Sequence, residues 1–124
     1  MKLNLALFAA VLTLTSTASA WHVKFYEHAN FKGRLHERSG PGNPGAACQG
    51  APNPVNNLVS SFKFQPYNAA RTTKCCLELY NALDCKPSSQ LGYHTACEYQ
   101  EFKDLQYTTL QDKISSYRTV CRRV

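Results

Sequence analysis

The chain has 124 residues, with 14 Lys or Arg against 8 Asp or Glu and six cysteines, a length that suits one domain. Its formal charge of +6 at pH 7 is spread along the sequence, with one small cluster at Arg118, Arg122 and Arg123. Nucleic-acid binders concentrate charge on a stripe with stacking aromatics, so no nucleic-acid partner is expected; the charge serves solubility, or attraction to an anionic membrane or cell wall.

Residues 1–20 read MKLNLALFAAVLTLTSTASA. One lysine, an apolar run and small residues ending Ala18-Ser19-Ala20 have the layout of a secretory signal peptide with an A-x-A cleavage site. The apolar stretch is too short, and too interrupted by Thr and Ser, for a membrane span. The expected mature chain is 21–124, secreted, with a charge of +5 once Lys2 is gone. A domain of that size buries somewhat over ~60% of its unfolded surface and so has a real core with modest reserve.

Short alternating segments follow, separated by Gly, Pro and Asn. HVKFYEH, residues 22–28, puts Val23 and Phe25 on one face, the pattern of a strand with one covered side. SGPGNPGAACQGAPNPVNN, residues 39–57, reads as loop and turn with one brief edge strand around Cys48. SFKF, residues 61–64, alternates again, and DLQYTTLQDKISSYRTV, residues 104–120, ends in a β-branched and aromatic run. No segment has the pattern of a long helix, and the fold class expected is all-β.

The cysteines are Cys48, Cys75, Cys76, Cys85, Cys97 and Cys121. An even number in an exported chain points to three disulfides, each contributing about 2–4 kcal/mol. Six cysteines allow 15 pairings, and the spacing leaves them open. Cys75 and Cys76 carry one constraint: neighbours in a strand face opposite sides, so their partners should differ. Zinc is disfavoured because no C-x2-C pair exists. The absence of an N-x-[ST] sequon gives no reason to expect N-glycans.

The two halves match. Tyr26 is followed by Phe31 and Gly33, with Ser60 coming 34 residues after the tyrosine; Tyr80 is followed by Cys85 and Pro87, with Ser115 coming 35 residues on. LVSSFKF at 58–64 aligns with KISSYRT at 113–119, and Leu77 and Leu79 stand where Val23 and Phe25 stood. Two copies of one four-stranded unit, about 21–66 and about 75–124, account for this spacing.

A secreted all-β chain with Y-x-x-x-x-F-x-G followed by N-N-x-x-S-S resembles a single βγ-crystallin domain of the microbial type. The resemblance covers nearly the whole mature chain and rests on FYEHANFKGR and NNLVSS in copy one. It implies two Greek-key motifs packed as a sandwich, each marked by a folded-over aromatic hairpin. Gly33 would supply positive φ at no steric cost, and Tyr26 and Phe31 would pack across the hairpin. Copy two departs from the pattern. Cys85 replaces the aromatic and Pro87 the glycine, and proline cannot take positive φ; that hairpin should fold differently, pinned by a disulfide from Cys85.

The resemblance also implies calcium. Family members that bind it read Asn/Asp, Asn/Asp, any, any, Ser/Thr, Ser, and hold two ions per domain with ligands from both copies. Carried over, copy one offers Asn57, the Leu58 carbonyl and Ser60, with the Glu27 carbonyl from its hairpin. Copy two offers Asp112, the Lys113 carbonyl and Ser115, with the Asn81 carbonyl. Gln111 stands where Asn or Asp is expected, which weakens that copy; the first position would serve more to shape the turn than to bind. Calcium takes 6–8 oxygens at flexible angles, whereas magnesium wants a tighter octahedron. With Asp112 the one side-chain carboxylate, the affinity expected is weak, around 10⁻⁵–10⁻³ M. Asn-Asn and Ser-Ser are also ordinary turn chemistry, so the hexamer alone is a modest signal.

No catalytic set stands out, and no enzyme activity is expected. The histidines, at 22, 28, 36 and 94, show no H-E-x-x-H spacing. They read as solvent-facing strand residues, with a transition-metal pair of His28 and His36 flanking the first hairpin as the sharper alternative. Two functional readings follow. The first is a secreted, disulfide-bonded calcium-binding protein with a structural or stress-protective role. The second is an antimicrobial or killer-toxin-like protein, an effector or a protease inhibitor on the same scaffold, acting on a cell surface or target protein.

Overall fold

The computed structural model describes residues 19–42, 44–50, 56–106 and 108–124, with the side chains of 92–96 left aside. The first eighteen residues of the expected signal peptide lie outside the described residues. Among the described residues eight strands form: β1 (Trp21–His28), β2 (Lys32–Gly40), β3 (Gln49–Gly50), β4 (Ser61–Gln65), β5 (Thr73–Tyr80), β6 (Gln90–Ala96), β7 (Gln100–Phe102) and β8 (Ser116–Arg123). They make two four-stranded sheets, ordered β2-β1-β4-β7 and β3-β8-β5-β6, and every strand pair is antiparallel.

The third strand of each copy leaves its own sheet. β3 pairs with β8 through Gln49 opposite Tyr117 and Gly50 opposite Ser116, and β7 pairs with β4 through Phe62 opposite Phe102. Each sheet therefore holds three strands of one copy and one of the other, so neither copy can close its core alone. This is the Greek-key sandwich that the family resemblance implies. The brief strand expected around Cys48 is β3, while Ser39 and Gly40, expected as loop, complete β2.

Alternation places the core. Val23 and Phe25 on β1 and Leu77 and Leu79 on β5 occupy matching places in the two sheets, and all four are 0% exposed. Phe62 and Phe64 from β4, Tyr117 from β8, and Val59, Leu105, Leu110 and Ile114 from the connecting loops complete the cluster. Full burial of a side chain of this size contributes about 1.5–3 kcal/mol, so the shared interior is the main force holding the copies together.

The disulfides span this frame. Cys75 and Cys121 are directly opposed on β5 and β8 and face the core. Cys76, pointing the other way, joins Cys97 at the end of β6. The two neighbours take different partners, as strand alternation requires. Cys48, just before β3, joins Cys85 in the second hairpin. Disulfides of this kind belong to an oxidising environment.

Candidate functional site

The folded hairpins carry the candidate site. In copy one, Asn30 and Phe31 turn through left-handed backbone at φ 61° and 58°, and Gly33 follows at φ 86°. A Cβ at Gly33 would lie 2.5 Å from the His28 ring, so the position needs glycine both for its angle and for space. The Tyr26 and Phe31 rings meet edge to face at 5.5 Å, which holds the hairpin over the strand, and Lys63 caps the Phe31 ring at 4.4 Å. In copy two, Cys85 takes the same left-handed turn at φ 53°. From there the path differs. Pro87 opens a short 3-10 turn, Pro87–Ser89, the Asn81 N–H bonds to the Ser89 carbonyl at 2.9 Å, and the Cys48–Cys85 bridge replaces the ring contact.

Both hairpins are closed by the same device, which the sequence reading missed. The Ser61 hydroxyl donates to the His28 carbonyl at 2.6 Å and accepts from the Phe31 N–H at 3.1 Å. In copy two the Ser116 hydroxyl donates to the Ala82 carbonyl and accepts from the Cys85 N–H at 3.0 Å. Both serines are 0% exposed. The signal was the second serine of each S-S pair, which sits at the first position of its strand in both copies.

The N-N-x-x-S-S loop and its counterpart run against each other about a pseudo-twofold. The Asn57 N–H bonds to the Ile114 carbonyl at 3.0 Å, and the Asp112 N–H bonds to the Val59 carbonyl at 3.1 Å. Asn57 and Asp112 turn the chain at φ 58° and 56°, a region that Asn and Asp tolerate better than other non-glycine residues. Turn shaping thus falls to the second position of the motif, not the first as expected.

Each fifth-position serine is tied to a hairpin tyrosine: the Ser60 N–H bonds to the Tyr26 carbonyl at 2.9 Å and the Ser115 N–H to the Tyr80 carbonyl at 2.8 Å. Ser60 and Ser115 are thereby held beside Glu27 and Asn81, the residues expected to supply hairpin carbonyls. The Glu27 carboxylate is committed elsewhere, bonded to Arg34 at 3.0 Å with His28 at 3.6 Å. The Arg34 guanidinium holds that carboxyl below its usual range.

Across the copies, Ser115 Oγ donates to Asn57 Oδ1 at 2.7 Å, bringing together two of the predicted ligands. Ser60 Oγ instead accepts from Gln111 Nε2 at 2.8 Å. The residue that reaches Ser60 is the one before the predicted ligand Asp112, and Asn57, Leu58, Asp112 and Lys113 are all exposed.

Whether these residues suit a cation is tested by their unmatched atoms. Among the described residues, three buried side-chain polar atoms have no hydrogen-bond partner: Trp21 Nε1, Asn56 Oδ1 and Gln111 Oε1. The two oxygens occupy the first position of the motif in each copy. Leaving a buried acceptor unsatisfied costs about 1–3 kcal/mol, and at Asn56 a hard cation is a partner that would answer it. No group of three or more His, Cys, Asp or Glu side chains suited to a metal occurs among the described residues. Apart from the Asp112 carboxylate, the donor set is one of neutral oxygens.

The solvent-facing reading of the histidines holds for His22 and His28 and is overturned at His36. His36 is 8% exposed. It stacks on Phe25 with ring centroids 6.1 Å apart, and its Nε2 meets the Tyr117 hydroxyl at 2.8 Å. His28 points to solvent beside Glu27. His36 lies opposite Phe25, three residues down the strand from His28, so the two rings form no metal pair. Burial lowers the His36 pKa and pushes that of Tyr117 up to about 12.

No protein-family model matches the chain, and no curated protein does. Two solved structures are similar to it. One is a βγ-crystallin from an archaeon, at 20% identity and TM-score 0.49, covering 82% of this chain and 99% of that one. The other concerns the evolution of the eye-lens βγ-crystallin domain fold, at 18% identity and TM-score 0.48, covering 88% of this chain and 91% of that one. Both likenesses are distant, and the assignment rests on the exchanged third strands and the duplicated, serine-closed hairpins. The domain is βγ-crystallin-like. Within that βγ-crystallin-like frame the oxygen-bearing loops of the two copies meet at one end of the sandwich, beside the hairpins.

Proposed function

We propose that this βγ-crystallin-like domain is a secreted calcium-binding protein whose task is structural, as part of a stress-resistant coat or matrix, and not catalytic. One observation carries the reading. Asn57 Oδ1 and Ser115 Oγ, from opposite copies, lie 2.7 Å apart, and oxygens at that separation can share one ion at the about 2.3–2.6 Å that calcium takes. The unmatched Asn56 Oδ1 in the same loop supports it.

The residues that would hold calcium are Asn57, Ser115 and the Asn81 carbonyl on one side, with Ser60, Asp112 and the Glu27 carbonyl on the other. The Leu58 and Lys113 carbonyls are further donors. The ion would supply positive charge that joins the two copies where their loops meet. A single carboxylate among otherwise neutral ligands makes that attraction weak, in the range of about 10⁻⁵–10⁻³ M, so calcium would act as a stabiliser by mass action and not as a sensor. Secretion is supported by the three disulfides, which need an oxidising compartment, and by the leader pattern of residues 1–20.

Calorimetric titration with calcium, run beside thermal unfolding with and without the ion, tests the reading. Calcium should release or absorb binding heat and raise the melting temperature, and Ser115→Ala should remove or strongly reduce both effects. Absence of heat and of any thermal shift in the parent protein would overturn the proposal.

A further inference from the structure

The two pockets assigned by the calcium reading differ in one side chain. At the first, Ser115 and Asn57 meet with only a hydroxyl proton between two oxygens. The hydroxyl can rotate that proton away and offer lone pairs. At the second, the group facing Ser60 Oγ at 2.8 Å is Gln111 Nε2. An amide N–H is a donor with no acceptor capacity, and its partial positive charge stands against the oxygen a cation would need. This orientation leaves Oε1 buried without a partner, and the reverse would leave Nε2 so. In either, the Gln111 side chain and not the Asp112 carboxylate stands against Ser60.

Copy one is the internal control. Asn56, in the place of Gln111, is one methylene shorter, and the neighbour of Ser115 is Asn57. The extra methylene of Gln111 brings its amide to Ser60 ahead of Asp112.

We infer that Gln111 is a built-in plug of the Ser60 pocket, so that the domain takes one calcium ion, at Asn57 and Ser115, where the duplicated fold has room for two. The inference rests on the calcium reading above. Gln111→Asn restores the shorter amide of copy one. It withdraws from Ser60 and frees that hydroxyl to share an ion with Asp112, the one carboxylate in the set.

The experiment is calorimetric titration of the oxidised chain with calcium, comparing the parent with Gln111→Asn and with Gln111→Asn/Ser60→Ala. Melting temperatures in chelator report whether each variant is folded. The parent should bind one ion, Gln111→Asn two, and Gln111→Asn/Ser60→Ala one again. Two ions in the parent, or two in Gln111→Asn/Ser60→Ala, would overturn the plug while leaving the calcium reading standing. So would a folded Gln111→Asn that still binds one. No binding heat in any of the three proteins would overturn the calcium reading itself.

Discussion

In the first hairpin an edge-to-face contact of Tyr26 with Phe31 holds the fold-over and Gly33 supplies the φ of 86° that completes it. In the second, Cys85 makes the same left-handed turn, a bridge to Cys48 takes the place of the ring contact, and Pro87 starts a 3-10 turn where Gly33 stood. What the two share is the buried serine that bonds the hairpin N–H and carbonyl to the first residue of the last strand. The difference teaches that the clamp defines this hairpin, while the device pinning its tip can be exchanged. A covalent pin also does something the aromatic pair does not: it fastens the exchanged strand of copy one to the hairpin of copy two.

Removing that covalent pin is the severest test of the comparison. Cys48→Ala/Cys85→Ala should cost about 2–4 kcal/mol in chemical denaturation, and hydrogen exchange should speed up at Asn81 and Ser89 while the first hairpin stays protected. Uniform loss of protection in both hairpins would mean that the bridge supports the whole sandwich and not one tip. The shared clamp comes next. Ser61→Ala and Ser116→Ala should each cost about 1–3 kcal/mol, because each leaves a buried N–H and carbonyl without a partner. The two losses should be alike; a large inequality would break the equivalence drawn here between the copies.

The smallest effect concerns an ionisable group in the core of copy one. Burial lowers the His36 pKa below its ordinary value of 6.5. The unfolded chain therefore takes up a proton near that value, before the folded chain does. Stability is full above this pH and falls as the pH drops through it. At the alkaline end, Tyr117, raised to about 12, keeps its proton in the folded state after the unfolded chain has lost it, so stability falls again above roughly pH 10. Melting temperature measured from pH 8 to pH 4 should decline, and His36→Phe should flatten that slope. A slope unchanged in the variant would assign the acid loss to other groups.

Much of the frame was legible in the chain itself. Val23 with Phe25, and Leu77 with Leu79, marked the covered strand faces, and the matched spacing of Tyr26–Ser60 and Tyr80–Ser115 marked the duplication. Substitution of Cys85 and Pro87 for an aromatic and a glycine correctly announced a second hairpin with a different pin. The site was less readable. Asn57 and Ser115 do meet, but Gln111 and not Asp112 reaches Ser60, because one methylene of side-chain length decides the contact and no residue pattern records reach. His36 was placed on the wrong side because a polar residue in an alternating strand reads as exposed; its burial depends on Tyr117, 81 residues away, offering a hydroxyl to its ring.

Strand faces, the internal repeat and the opposite directions of Cys75 and Cys76 followed from the amino-acid order alone, since alternation and spacing are properties of neighbouring residues. The disulfide map, the buried His36–Tyr117 bond and the unequal pockets at Ser60 and Ser115 were decided only in three dimensions. They arise where each copy hands its third strand to the other's sheet, and the contacts made there join residues whose separation along the chain carries no local signal.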